Sequence, residues 1–178
     1  LFFADNKNIL IQYQGFNVSF FRIIFLFVVF ISLTINSYSQ EQGGESDLRK
    51  AADRMKYENA LQFYNLKKYS NALNQFHEYL EVYYNGNHRD QAYLHIADIH
   101  MLNFRYTDAV KVYDNLFREY SNSETGVNAY YSKGICYMKM GYETKAEEVF
   151  NYIITRHPGT KAAVNSEIQL ELLKISSN

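Results

Sequence analysis

Residues 97–113 read Ala97-Asp98-Ile99-His100-Met101-Leu102-Asn103-Phe104-Arg105-Tyr106-Thr107-Asp108-Ala109-Val110-Lys111-Val112-Tyr113, and the residues at the two ends of this stretch recur along the chain. Ala72, Ala109 and Ala146 stand 37 residues apart, and so do Phe76, Tyr113 and Phe150, four places after each alanine. A second ladder runs twelve residues ahead: Ala60, Ala97 and Gly134, with Phe63, His100 and Tyr137 three places further on. Four positions held in one frame mark a stacked helical repeat, whose units bury their apolar faces only against their neighbours. Such arrays are interaction scaffolds far more often than enzymes.

Helical periodicity begins near Leu48 and predicts helices near 48–67, 70–84, 89–104, 107–120, 125–140, 144–157 and 160–175. Pro158 is the only proline, so little in the chain interrupts them. Asn85-Gly86-Asn87, Ser121-Asn122-Ser123 and Pro158-Gly159-Thr160 mark the breaks between helix pairs. Ser70, Thr107 and Thr144 share one register and are expected to be N-caps, with Glu147 completing a capping box after Thr144. The alanines and Gly134 are expected at tight helix crossings, where a larger side chain would force the pair apart. Phe76, Tyr113 and Phe150 would fill the wider space between hairpins.

The N-terminal region has a different composition. Arg22 heads the apolar run Ile23–Leu33, and Ser37-Tyr38-Ser39 precedes the polar Gln40-Glu41. A positive flank, a short apolar core and small residues two apart predict a signal peptide over residues 1–39, cleaved after Ser39, with a patternless extension over 1–21. If uncleaved, the run would be a membrane anchor, although it falls short of the ~20 apolar residues of a spanning helix. Residues 40–52 read as a polar tether, ending at Gly43-Gly44-Glu45-Ser46, and the start of the first helix. Of the chain's 18 basic and 19 acidic side chains, Lys7, Arg22 and Asp5 lie in the leader, leaving 16 against 18. That balance offers nothing to attract nucleic acid. The one cysteine, Cys136, cannot form an internal disulfide and is read as a small buried hydrophobe.

The pattern resembles the tetratricopeptide repeat (TPR) over about residues 53–178. That family's first helix carries an aromatic, a small residue four places on and a second aromatic three beyond. Tyr93/Ala97/His100 and Tyr130/Gly134/Tyr137 follow it, whereas the first repeat has Lys56 at the leading aromatic. Pro158 falls on the family's closing proline, replaced by Tyr84 and Ser121 elsewhere, and Tyr79, Leu116 and Ile153 stand where the family has another small residue. The resemblance implies an all-α TPR-like solenoid of three hairpins, about 53–88, 89–125 and 126–159, with a capping helix at 160–176. Glu171 falls one period after Gly134, and with Glu167 and Lys174 it predicts a solvating cap. The 37-residue period is similar to that of bacterial envelope TPR proteins, such as the Tol–Pal-associated cell-division coordinator and the TPR lipoprotein of the barrel-assembly machine. It implies an exported, periplasmic adaptor that binds a protein or peptide partner, the alternative being a self-associating or membrane-anchored structural component of an envelope complex.

In this superfamily the first helices line a concave groove. Carried over, the groove register falls on Arg54, Tyr57, Leu61 and Tyr64, on Gln91, Leu94, Asp98 and Met101, and on Asn128, Tyr131, Ile135 and Met138. The Lys/Asn clamp for a C-terminal carboxylate that one TPR subgroup uses is missing, since its places hold Tyr57/Leu61, Leu94/Asp98 and Tyr131/Ile135. The remaining surface suits an apolar or aromatic segment, unless these side chains pack between neighbouring helices instead. No enzyme, cofactor or metal is expected. His95 and His100 are five apart on one helix, which points them to different faces. His77-Glu78 lacks a second histidine four residues after the first, and His88-Arg89-Asp90 stands without the other kinase motifs.

Overall fold

The computed structural model describes residues 18–176, and its elements are all helices: α1 Val18–Asn65, α2 Tyr69–Val82, α3 Arg89–Leu102, α4 Tyr106–Tyr120, α5 Glu124–Lys139, α6 Glu143–Arg156 and α7 Lys161–Ser176. The chain divides into two units, Leu1–Arg49 and Lys50–Asn178. Within the second, the C-terminal part of α1 pairs with α2, α3 with α4 and α5 with α6, while α7 lies on α6 and α5. From α2 onward the expected helix bounds hold to within two residues.

The ladders are the core. Ala60, Ala72, Ala97, Ala109 and Ala146 are fully buried, together with Phe76 and Phe150. At Gly134 an added Cβ would stand 2.5 Å from Cε1 of Phe150, so the ring occupies the space that a side chain would need. The third hairpin therefore takes glycine where the first two take alanine. Tyr79, Leu116 and Ile153, bulky where the resemblance expects a small residue, are all fully buried. Burying side chains of this size contributes about 1.5–3 kcal/mol each.

A third ladder lies in the turns inside the hairpins. Lys67 and Phe104 each have φ 57° and Gly141 has φ 74°, all in the left-handed region and 37 residues apart. Each belongs to a Schellman motif. The amide of Lys68 donates to the carbonyl of Phe63 at 2.9 Å, Arg105 to His100 at 2.8 Å and Tyr142 to Tyr137 at 2.9 Å. These turns correct the expected caps. Helices α2, α4 and α6 start at Tyr69, Tyr106 and Glu143, so Ser70, Thr107 and Thr144 fall inside the first turn. Lys68, Arg105 and Tyr142 are the N-caps and accept no side-chain capping bond, because the Schellman turn feeds the chain directly into the next helix. Side-chain caps occur between hairpins instead: Ser123 Oγ accepts from the amide of Gly126, and Thr160 Oγ1 from that of Ala163, both at 3.1 Å.

Two further expectations change. Residues 40–46, expected as tether, belong to α1. Gly43 and Gly44 each weaken a helix by only about 1 kcal/mol relative to alanine, which does not break it. Helix α7 is not uniformly solvating: Glu167, Glu171 and Lys174 are exposed, but so are Val164, Ile168, Leu172 and Ile175. Residues 1–17 of the expected extension lie outside the described residues, as do the side chains of Arg22 and Ser37-Tyr38-Ser39. Phe25, Leu26, Phe27, Val28 and Phe30 are exposed. Among the described residues no helix is long and apolar enough to cross a membrane.

Candidate partner-binding face

The register carried over from the superfamily falls on the first helices of the hairpins: the C-terminal part of α1, then α3 and α5. The structure treats these side chains unequally. Arg54 and Asn128 are exposed at its edge, and Arg54 lies 3.8 Å from Glu58. Leu94, at 39% exposure, is the most open apolar side chain of the set. Leu61, Tyr64, Gln91, Asp98, Met101, Tyr131, Ile135 and Met138 are half-buried. Tyr57 is a correction to the open groove: only 9% of it is exposed. His88 stacks on its ring at a centroid distance of 4.6 Å, and Phe76 and Tyr79 close the other sides at about 6 Å, so it is a core residue.

The half-buried members meet the next first helix. The Tyr64 hydroxyl donates to the carboxylate of Asp98, and that hydrogen bond, ahead of burial, pushes the phenol up to about 12. His95 lies beside Tyr64, 4.7 Å between centroids, and stacks on Phe76 at 5.2 Å. Burial lowers its pKa against the opposing pull of Asp98, so the neutral ring is favoured there. The Cys136 thiol, fully buried as read from the sequence, points to Met101 Sδ at 3.2 Å, and burial raises it to about 11. Tyr131, Ile135 and Met138 pack in one cluster with Leu170 and Leu173 of α7. The face thus offers apolar contact and one carboxylate acceptor, with its thiol and its phenol held in their protonated forms. Among the described residues no three His, Cys, Asp or Glu side chains group as metal ligands would.

Several residues that hold this face in place escaped the sequence reading. Arg89, buried, donates from Nη1 to the carbonyls of Leu80 at 2.6 Å and Tyr83 at 3.1 Å, satisfying the C-terminal end of α2. Its Nη2 meets Glu119 on α4 at 2.9 Å, and the Tyr93 hydroxyl donates to the same carboxylate at 2.5 Å. Asp53, also buried, accepts from the Tyr79 hydroxyl at 2.5 Å and from the amide of Asn87 at 2.9 Å. Lys133 reaches Asp114 at 2.6 Å and lies over the Tyr130 ring. Charged residues at buried repeat positions were the available signal, since such groups are seldom buried without partners.

The comparisons with known proteins agree with this architecture. Residues 91–123, the second hairpin, match the family described as tetratricopeptide repeat. Among curated proteins none matches the chain. Of the solved structures, the Yersinia enterocolitica type III secretion chaperone SycD in complex with a peptide of the translocator YopD superposes with a TM-score of 0.57 at 14% identity, covering 70% of this chain and 94% of that one. The TPR2AB domain of yeast Sti1 in complex with pHSP90 gives 0.54 at 15%, over 71% and 50%. The Arabidopsis OM64 TPR domain gives 0.52 at 16%, over 68% and 96%. Residues 91–123 thus match the tetratricopeptide repeat family, and the chain has the all-α helical-repeat fold of those structures.

Proposed function

We propose that this protein is a non-enzymatic interaction scaffold of the cell envelope that holds a peptide or partner protein on the face of its first helices. The observation that carries this is the single register that brings half-open Leu94, the Tyr64–Asp98 pair and Tyr131 onto successive first helices. Such a face can take an apolar or aromatic side chain while Asp98 accepts a hydrogen bond from the ligand backbone. Two proteins of similar fold, SycD and the Sti1 domain, are solved with a YopD peptide and pHSP90 respectively. TPR-fold proteins are typically interaction modules rather than enzymes, which supports the same reading.

Export rests on the sequence of residues 1–39. An alternative draws support from the exposed Phe25–Phe30 run, which suits a retained anchor in an envelope complex. Intact mass of the protein recovered from the envelope decides between them: loss of residues 1–39 gives a free scaffold, and a full-length mass gives an anchored one. For binding, the full chain serves as bait in envelope extract beside Leu94→Ala with Tyr131→Ala. A partner captured by wild type and lost from this variant, with helix content unchanged, places the site on this face. Equal capture by both moves it elsewhere.

A further inference from the structure

The turns inside the hairpins share one edge of the stack, because each closes its hairpin at the same repeat position. In register they span residues 65–71, 102–108 and 139–145. Thr107 Oγ1 lies 3.5 Å from Met140 Sδ, so the second and third turns touch. Lys50–Asn178 carries fifteen charges of each sign, yet these turns hold five basic residues (Lys67, Lys68, Arg105, Lys139, Lys145) against two acids (Asp108, Glu143), a balance of +3. Asp108 is held by Arg105 at 2.7 Å and by Lys111 at 3.1 Å. Lys67, Lys68 and Lys139 are exposed and make no ion pair among the described residues, and Lys145 lies over the Tyr142 ring at 5.0 Å. The turns between hairpins, over 83–90, 120–127 and 157–164, hold two charges of each sign and cancel. The basic turns also put apolar side chains into water: Leu66, Leu102 and Tyr142 are half exposed or more, and Phe104 is 78% exposed. Phe104 stands at φ 57° and its ring meets Tyr106 edge-on at 6.3 Å, so burial does not offset the strain that turns it outward.

We propose that this edge docks on an anionic lipid bilayer, with Leu66, Phe104 and Tyr142 entering the headgroup region and the lysines meeting lipid phosphates. Each turn supplies both kinds of group: Leu66 stands beside Lys67 and Lys68, Phe104 beside Arg105, and Tyr142 between Lys139 and Lys145. The rings and the leucine gain by leaving water, while the long basic stems keep their charges at the phosphate level. Near an anionic leaflet each lysine strengthens binding by a factor of about five. The apolar tips select a bilayer over another polyanion, since an acidic protein or a nucleic acid would engage the lysines and leave Leu66 and Phe104 in water. The Schellman hydrogen bonds already fix the turns, so docking orders no loop. The edge lies at the helix ends, apart from Leu94 and Tyr131, and does not depend on the function proposed for that face.

The chain has no tryptophan, so Phe104→Trp and Tyr142→Trp, made singly in the full chain, each give a reporter local to this edge. On vesicles of phosphatidylcholine with about one-third phosphatidylglycerol, both emissions should shift to the blue and be quenched by brominated acyl chains. Vesicles of phosphatidylcholine alone should give neither response, and raised salt should reverse both. Adding Lys67→Gln with Lys68→Gln should weaken the titration roughly tenfold or more, with helix content unchanged. No shift on the anionic vesicles overturns the proposal and leaves the basic edge to an acidic protein, even where the exposed Phe25–Phe30 run holds the chain on the membrane. Equal shifts on both kinds of vesicle, or a titration unmoved by the lysine substitutions, overturn it as well, since the charges would then select nothing. A shift from one reporter alone overturns the shared edge.

Discussion

Asp53 and Tyr79 in the first hairpin occupy the same two repeat positions as Val127 and Ile153 in the third. The first pair is a buried hydrogen bond at 2.5 Å, with Asn87 donating to the same acid; the second is an aliphatic contact inside an apolar cluster. Both pairs join a first helix to its second helix. Tyrosine reaches further than isoleucine, and its hydroxyl also accepts the amide of His88 at 3.0 Å, fixing the link into α3. The repeat therefore specifies a spacing and a volume, and each hairpin meets it with its own chemistry. The polar solution holds only while every member of the network has its partner.

The largest effect is expected from moving half of one solution into the other hairpin. Val127→Asp buries an acid in the apolar cluster opposite Ile153, which lacks the hydroxyl that Tyr79 gives Asp53, and should lower stability by about 3–5 kcal/mol in urea unfolding. The converse, Asp53→Val, leaves the Tyr79 hydroxyl and the Asn87 amide short of an acceptor and should lower it by about 2–3 kcal/mol. Adding Tyr79→Phe to Asp53→Val should recover part of that loss, through coupling that a double-mutant cycle measures. If Asp53→Val costs no more than an ordinary surface change, the two hairpins do not differ in the way described.

The turns sharpen the same comparison. The third hairpin has Gly141 at the left-handed position, and the first two hold Lys67 and Phe104 there at φ 57°. Phe104→Gly should stabilise the protein by about 1 kcal/mol, since the side chain is largely exposed and the backbone strain is relieved, while Gly141→Ala should destabilise by a similar amount. A melting curve that shifts the other way for Phe104→Gly would mean the ring contributes more by contact than its conformation costs.

The smallest expected effect is a tilt in the pH dependence. His100 takes the place of Phe63 and Tyr137; it is buried, and its Nδ1 has no hydrogen-bond partner among the described residues. Burial first, then Arg105, lowers its pKa; His77 and Lys111 act in the same direction, and Asp108 opposes them. The unfolded chain therefore binds more protons once the pH falls through about 6.5, and stability falls with it. Above that value His100 stays neutral in both states and the effect vanishes. His100→Phe should flatten the loss between pH 7 and pH 5, leaving the part due to His95, whose pKa is lowered by burial as well. Parallel wild-type and variant curves would remove His100 as the source.

Much of the stack could be read before any packing was known. The alanine and aromatic ladders are spaced by the chain alone, and a fixed period of small and large residues admits few structures besides stacked hairpins. The turns were illegible because Lys67 and Phe104 resemble nothing that usually takes positive φ; only Gly141 carried the signal. The candidate face was legible as a register but not as a surface. Tyr57 and Leu94 share a position, yet one is core because His88 stacks on it and the other remains 39% exposed. For α7, the acidic residues suggested solvation, while the aliphatic stripe was equally present in the sequence and could not be assigned to the inside or the outside.

The sequence by itself determined the helical class, the 37-residue period, the number of hairpins and the small residues at the crossings, because these depend on spacing and side-chain volume along one chain. Tertiary structure alone decided which members of a register are covered, which buried polar groups find partners and which face of α7 is left open. Each of those depends on a side chain contributed by another helix, at a distance that no count along the sequence fixes.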